Sequence, residues 1–411
     1  MLSWANQFST CCFLDNHQYH FNHNSYECVA GVGAAAFIEL KAGTALQELQ
    51  QFQEKHDGWL FGHLGYDLKN EVESLVSQNP DYLGFPDLFF FAPQTVILLN
   101  KDELFIAADN AAIATQVFTA LSDITLAEPS AADSNHITFQ SRFSKQAYIE
   151  TIEKLRGHIL RGDCYEINFC QEFFAENAAI DPVYVYQALS KISPSPFAAF
   201  YKIRNKYLLC ASPERYLKKD GATIISQPIK GTGSRNLADA GADDLQKAQL
   251  YNSAKDRSEN VMVVDLVRND LSKICQEGSV EVEELFGIYS FPQVHQMIST
   301  ISGTLQPSLS FTAIIEKTFP MGSMTGAPKK RVMDLIEEYE TVKRGIFSGA
   351  LGYIKPGGDF DFNVVIRSIL YNKASGYLSY LVGSGITFYS NAADEYEECL
   401  LKATAIKKVF M

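Results

Sequence analysis

The sequence predicts an α+β protein, and three observations carry that reading. Strand-like segments arrive next to one another at hairpin spacing. Well-capped helical segments stand between groups of strands. The regular strand–helix–strand alternation of a doubly wound parallel sheet is missing. The 411 residues allow one large domain or two to three of ordinary size.

The elements follow in order. Strand-like segments surround one helix at roughly Glu39 to His56. A small, polar stretch, LAEPSAADSNH from Leu126 to His136, is the clearest composition shift and reads as a domain boundary or long connection. The division expected is an N-terminal part, 1–130, and a second part, 138–411. The second part opens with SKQAYIETIEKLRGHILRGD, where Ser144 can cap a helix and Gly162 can end it. A strand is expected at Glu166 to Phe173. DPVYVYQALSKIS reads as a helix with Asp181 as cap and Pro182 in the first position. Strands follow near Ala198 to Ile203 and Tyr207 to Ala211. One long helix is expected over Ala240 to Leu271, and another over Ala327 to Tyr339. Three strands come next: Ser348 to Ile354, Asp361 to Tyr371 and Tyr377 to Phe388. Asn391 caps a last helix.

Charge and composition exclude several functions. There are 35 Lys plus Arg against 48 Asp plus Glu, a formal net charge of −13. A dedicated nucleic-acid binder would show a basic excess, and so would a protein docking on anionic lipid. The start has no basic segment typical of a secretory leader, and no run of about 18 apolar residues occurs. The eight cysteines are scattered with no CxxC pair. They read as reduced thiols of a cytoplasmic protein. His17, His20 and His23 are spaced three apart in Asn- and Tyr-rich sequence, which reads as a polar hairpin and not as a metal site.

Several segments can carry chemistry. In AKDRSENVMVVDL, Asp256 and Glu259 share a helix face; in ADEYEECLLKA, Glu395, Glu398 and Lys402 do the same. Two such faces can hold one oxygen-liganded Mg²⁺ between them, although an isolated ExxE is usually a solvated surface. Glu214 in ASPERYL follows a probable strand; burial would make it a general acid, whereas an ion pair with Arg215 would make it an ordinary loop residue. Lys230 in QPIKGTGSR precedes a Gly-Thr-Gly turn containing Thr232. With a lowered pKa it can be a nucleophile, though such lysines more commonly reach solvent. FPMGSMTGAPK, with Ser323, is a Gly-rich turn entering a helix, and VGSG, with Gly383 and Gly385, is a second place of close backbone approach; either can receive an anion, and the latter can equally be a bend. Arg367 is a lone charge in an apolar strand and needs an anionic partner. His295 in FPQVHQMIST sits on a strand or helix edge, where most histidines are structural.

Taken together and in this order, SPERYL, QPIKGTGSR, DRSENVMVVDLVRNDL, HQMISTISG, FPMGSMTGAPK, GALGYI, IRS, VGSG and DEYEECLLKA make the chain similar to the chorismate-utilising enzymes. That group includes anthranilate, aminodeoxychorismate, isochorismate and salicylate synthases. The resemblance runs from about Phe143 to the C-terminus, and WLFGHLGYDLKNEVE resembles the N-terminal region of the first two. It implies an αββα sandwich of two large antiparallel sheets with helices outside.

Three positions bear on the branch. Lys230 in PIKGT stands where aminodeoxychorismate synthases carry a lysine and anthranilate synthases usually have alanine. The water-adding members use a lysine base where this chain has Glu166. His295 matches a histidine of the amino-transferring members. The resemblance is therefore nearest to the aminodeoxychorismate synthase component I branch, which feeds para-aminobenzoate and folate synthesis, with anthranilate synthase component I as the alternative.

The resemblance implies Mg²⁺ on Glu259 and Glu398, supported by Asp256 and Glu395. It implies Glu214, Lys230 and His295 as catalytic residues. Arg367, Gly383, Gly385, Ser323, Thr232, Lys402 and Phe347 would contact substrate. Chorismate and ammonia are the expected reactants. No GxCxG nucleophile elbow is present, so a separate glutamine amidotransferase subunit is expected to supply the ammonia. Three departures stand out: Gly233 and Ser234 replace an Arg-Pro pair before Arg235, Phe347 replaces a usual tyrosine, and Glu166 replaces a usual glutamine.

Overall fold

Local chemistry sets most helix ends where the sequence places them. In the computed structural model, which describes residues 1–19, 23, 26–123, 137–292 and 294–411, helix Lys145–Arg161 begins at Ser144, whose side chain accepts from the Ala147 N–H, and ends at Gly162 with φ 84°. Asp181 caps Pro182–Ile192 and Asn391 caps Ala392–Lys402 in the same way. Such caps contribute about 1 kcal/mol each.

Several expected boundaries change. The helix expected over Ala327 to Tyr339 is Lys329–Tyr339, because Gly326 and Ala327 are held as a short strand opposite Ile167 and Glu166. The first helix is Ala45–Lys55, because Glu39 and Leu40 are held in strand Cys28–Leu40 opposite Phe89 and Leu88. The long helix over 240–271 is two, Ala240–Asn252 and Ala254–Ser272; Ser253 leaves helical geometry and caps the second through the Asp256 N–H. The strand over 361–371 is also two, Phe360–Val364 and Ser368–Asn372, separated at Arg367 with φ 51°. The polar connection at 126–136 and His20 lie outside the described residues. His17 and His23 have separate partners, the Ser195 carbonyl and Glu283.

Among the described residues every strand pairing is antiparallel, and the 19 strands join one continuous network. The two expected sheets are thus joined. Two 13-residue strands, Cys28–Leu40 and Leu88–Asn100, pair along their length across a bulge near Ala34 and belong to both. One end of this pair continues through Thr10–Asp15, Phe197–Ile203, Lys206–Ser212, Ser368–Asn372 and Tyr377–Ile386 to Glu166–Ala175. The other continues through Leu60–Leu64, Ala350–Ile354, Phe360–Val364, Arg215–Asp220 and Thr223–Gln227 to Val294–Thr304. That last strand also carries Ile229–Ser234 and Glu281–Ser290.

The N-terminal part is woven into both sheets, and each of two large apolar clusters mixes residues from both parts. One joins Phe61 and Phe90 to Ile301 and Phe362; the other joins Phe13 to Ile152, Leu209 and Val382. All eight cysteines are buried free thiols. Among the described residues no helix is long and apolar enough to cross a membrane.

Candidate active site

The chain passes from one sheet to the other at two neighbouring places, and each carries a charged side chain. Glu214 lies between strands Lys206–Ser212 and Arg215–Asp220; Arg367 lies between Phe360–Val364 and Ser368–Asn372. The two crossovers are tied by the Ala211 N–H to the Arg367 carbonyl at 3.2 Å and the Val364 N–H to the Glu214 carbonyl at 3.0 Å. A backbone leaving its ladder opens room for polar side chains inside the sandwich. The positive φ of Arg367 is uncommon for a bulky residue, and such conformations cluster at functional sites.

Glu214 is buried, and the Ser323 hydroxyl donates to its Oε1 at 2.5 Å. Burial pushes its carboxyl up to about 7, against the opposing effects of Ser323, Lys230 and Arg367. It therefore carries a proton near neutrality, as a general acid must. Ser323 is committed to Glu214 instead of reaching out on its own. Burial in turn pushes Arg367 down to about 10, with Glu214 opposing.

Lys230 Nζ lies 2.7 Å from Glu166 Oε1; Glu166 is buried and the Lys230 side chain nearly so. Burial disfavours the ammonium, but Glu166, Glu259 and Glu214 outweigh it and hold the lysine above its ordinary range. The expectation of a lowered lysine pKa is corrected: Lys230 rests as an ammonium. Gly385 backs this pair, since a Cβ there would stand 2.5 Å from Lys230 Nζ and 2.6 Å from Glu166 Oε1. Gly385→Ala is expected to displace the Lys230 ammonium and lower kcat, with only a small loss of stability because the atoms it meets are the ends of flexible side chains. Urea unfolding and kcat measured together check this; a variant with unchanged kcat would contradict the close approach.

The Gly383–Gly385 backbone faces an open edge. The Asn168 and Cys170 N–H groups donate away from this strand, to the Thr325 carbonyl and to Glu340, so Gly385↔Asn168 and Gly383↔Cys170 are non-hydrogen-bonded pairs. Both glycines then turn their N–H and C=O outward. Lys402 Nζ already donates to the Gly383 carbonyl at 3.1 Å. Beneath lies the buried Arg344–Glu340 pair, whose guanidinium also binds the Met324 and Asn168 carbonyls and so fixes the Gly-rich turn against strand Glu166–Ala175.

The two acidic helix faces do meet. Lys255 Nζ stands 3.9 Å from Glu259, 3.4 Å from Glu395 and 3.9 Å from Glu398, and Lys402 pairs with Glu398 at 2.8 Å. Asp256 lies a turn from Glu259, beside Gly231. Burial pushes Glu259 up to about 7 despite Lys230 and Lys255. At Glu398, burial acts upward but is outweighed by Lys402, Lys255 and Lys230, so its carboxyl stays low. Glu259 Oε1 and Glu395 Oε2 are buried without hydrogen-bond partners. Hard oxygen donors with unsatisfied atoms, gathered around a side-chain cation, fit Mg²⁺. Among the described residues no three His, Cys, Asp or Glu side chains already stand together in coordinating positions.

Two expected residues, His295 and Phe347, fall elsewhere, and a third, Thr232, makes no close contact with the charged groups among the described residues. His295 is buried with both ring nitrogens engaged, Nδ1 by Ser290 at 2.8 Å and Nε2 by Asp243 at 3.1 Å. Asp243 is itself clamped by Arg235. Alternation along the strand puts the next residue, Gln296, on the opposite face, where it meets Arg367. His295 is therefore not in the cluster, and Gln296, which sequence reasoning passed over, is. Phe347 is packed in the apolar core. Thr232 is exposed and pairs with Gln296, so it shares that residue's face at the rim of the cluster. Sequence reasoning also missed Lys255, and took Glu166 as a departure and as the place of an absent lysine base, not as the partner of Lys230.

An all-antiparallel α+β sandwich holding a buried acid, a lysine, an arginine and converging carboxylates defines an enzyme for a small anionic substrate. The chorismate binding enzyme family matches residues 6–408, and the chain belongs to that family. It is 33% identical over 385 residues to aminodeoxychorismate synthase component 1 of Escherichia coli strain K12, covering 88% of this chain and 82% of that one. It is 33% identical over 360 residues to an anthranilate synthase component I-like protein of Synechocystis, covering 85% and 72%. Anthranilate synthase component I of Streptococcus pneumoniae has the same fold, with TM-score 0.82, 24% identity and 95% of each chain covered. The protein is thus an enzyme acting on chorismate.

Proposed function

We propose that this chain is the ammonia-using subunit of an aminodeoxychorismate synthase, converting chorismate to 4-amino-4-deoxychorismate. The carrying observation is the position of Lys230, in ion pair with buried Glu166 and within the field of Glu214 and Glu259. The name of the Escherichia coli relative supports the same reading.

The residues supply each part of the reaction. Glu166 takes the proton that keeps Lys230 unreactive. The freed amine bonds to ring C2, both conjugated ring double bonds shift towards C4, and the C4 hydroxyl leaves as water with the proton of Glu214. Ammonia then bonds to C4, the two double bonds shift back, the C2–N bond breaks, and Lys230 recovers its electron pair. Arg367 and the outward N–H groups of Gly383 and Gly385 hold a carboxylate of the substrate. Mg²⁺ on Glu259 and Glu398, with Asp256 and Glu395 in support, would supply an electrophilic grip on the ring carboxylate. A separate glutamine amidotransferase supplies the ammonia in the cell.

The test is chromatography of products formed from chorismate, Mg²⁺ and ammonium. Aminodeoxychorismate is expected. Anthranilate would favour the alternative reading, and no chorismate consumption would overturn both. Glu259→Gln or Glu398→Gln is expected to raise the half-saturating Mg²⁺ concentration about 10- to 100-fold. A magnesium titration of chorismate consumption reads this out, and an unchanged half-saturation point would remove those residues from the metal site.

A further inference from the structure

Arg367 is a charged group inside the sandwich whose nearest polar partner is neutral. With the Gln296 amide oriented by its neighbours, Oε1 accepts from both terminal nitrogens of the guanidinium, one at 3.1 Å. Gln296 is fully buried, on strand Val294–Thr304 opposite Thr232. Among the described residues no carboxylate lies within 4.0 Å of the Arg367 nitrogens, and Glu214, its one electrostatic partner of note, is engaged by Ser323. A neutral acceptor aims a guanidinium without cancelling its charge, whereas a carboxylate in the same place would do both.

We propose that Gln296 is a specificity-determining positioning residue, which fixes the Arg367 fork and leaves its charge free for a carboxylate of the substrate. This rests on the chorismate reading above. Leaving the pair internally uncompensated is costly for an apolar interior, and an incoming carboxylate relieves that cost. The site thereby favours a doubly anionic ligand over one that has lost a carboxylate.

The test uses the full chain with chorismate. Gln296→Glu keeps side-chain shape but supplies an internal anion. It is expected to raise KM roughly 10- to 100-fold, with kcat changed much less. Gln296→Met keeps bulk, loses the aiming contact and adds no charge. Its KM is expected to rise less than that of Gln296→Glu, and in combination with Arg367→Lys its effect should be smaller than on the wild-type background. Thermal melts establish that each variant is folded, and Gln296→Met carries the test if Gln296→Glu is not. Calorimetric binding of chorismate separates the two ideas. Wild type that binds no chorismate would overturn the functional reading. Wild type that binds, with KM unchanged in the folded variants or with effects additive to Arg367→Lys, would overturn the role of Gln296 alone.

Discussion

Lys230→Ala is expected to abolish amination at C4, with kcat/KM falling roughly 10³-fold or more, and with any residual turnover diverted towards anthranilate. The same substitution is expected to destabilise the protein by about 3–5 kcal/mol, because it leaves Glu166 buried without its counter-ion. The two effects have different causes and can be separated. Lys230→Ala combined with Glu166→Gln removes both charges, so most of the stability should return while activity stays lost. Urea unfolding follows the first effect and product chromatography the second. An alanine variant with wild-type rate and product would rule out the covalent role. A double variant no more stable than the single one would show that the ion pair is not what holds this part of the site together.

How much of this was legible in the sequence depends on the range of the physics involved. Caps are local: Ser144, Asp181 and Asn391 declare helix starts through bonds to residues two or three positions on. The paired acidic faces were legible too, because i, i+3 spacing fixes a face whatever the tertiary context. Their meeting around Lys255 was not, because Lys255 reads as an ordinary surface charge until the second helix arrives. The break at Ser253 was hidden because the sequence is helical in propensity on both sides. The break at Arg367 was hidden because strand periodicity shows a face but not which sheet the strand joins. In HQMIST, moving the inward position by one residue exchanges His295 for Gln296, and only the pairing with Thr232 and the contact with Arg367 settle it. Glu166 illustrates the same limit: its charge is visible in the sequence, but its ion pair with Lys230 joins strands 64 positions apart, one from each sheet.

Glu214→Gln is expected to lower kcat/KM by roughly 10²- to 10⁴-fold, the usual loss when a general acid is removed. The pH dependence distinguishes this from a packing defect. In the wild type, burial pushes the Glu214 carboxyl from its ordinary 4.5 up to about 7. The protonated form needed to release the hydroxyl prevails below that value, so the wild-type rate should decline as pH rises through 7. The variant should lack this limb.

Stability carries the same sign. A carboxyl raised in the folded state gives a contribution that is fully present below pH 4.5 and lost as pH rises through 7, when the buried group must ionise. Glutamine never ionises, so Glu214→Gln should gain on wild type as pH increases, approaching on the order of 3 kcal/mol by pH 8 and vanishing near pH 4. The Ser323 hydroxyl retains an acceptor in the amide oxygen, which keeps the comparison close to a pure change of charge. Unfolding curves of both proteins at pH 4, 6 and 8 decide the matter, and a difference that stays flat across that range would mean that Glu214 is already ionised in the folded enzyme and cannot be the acid.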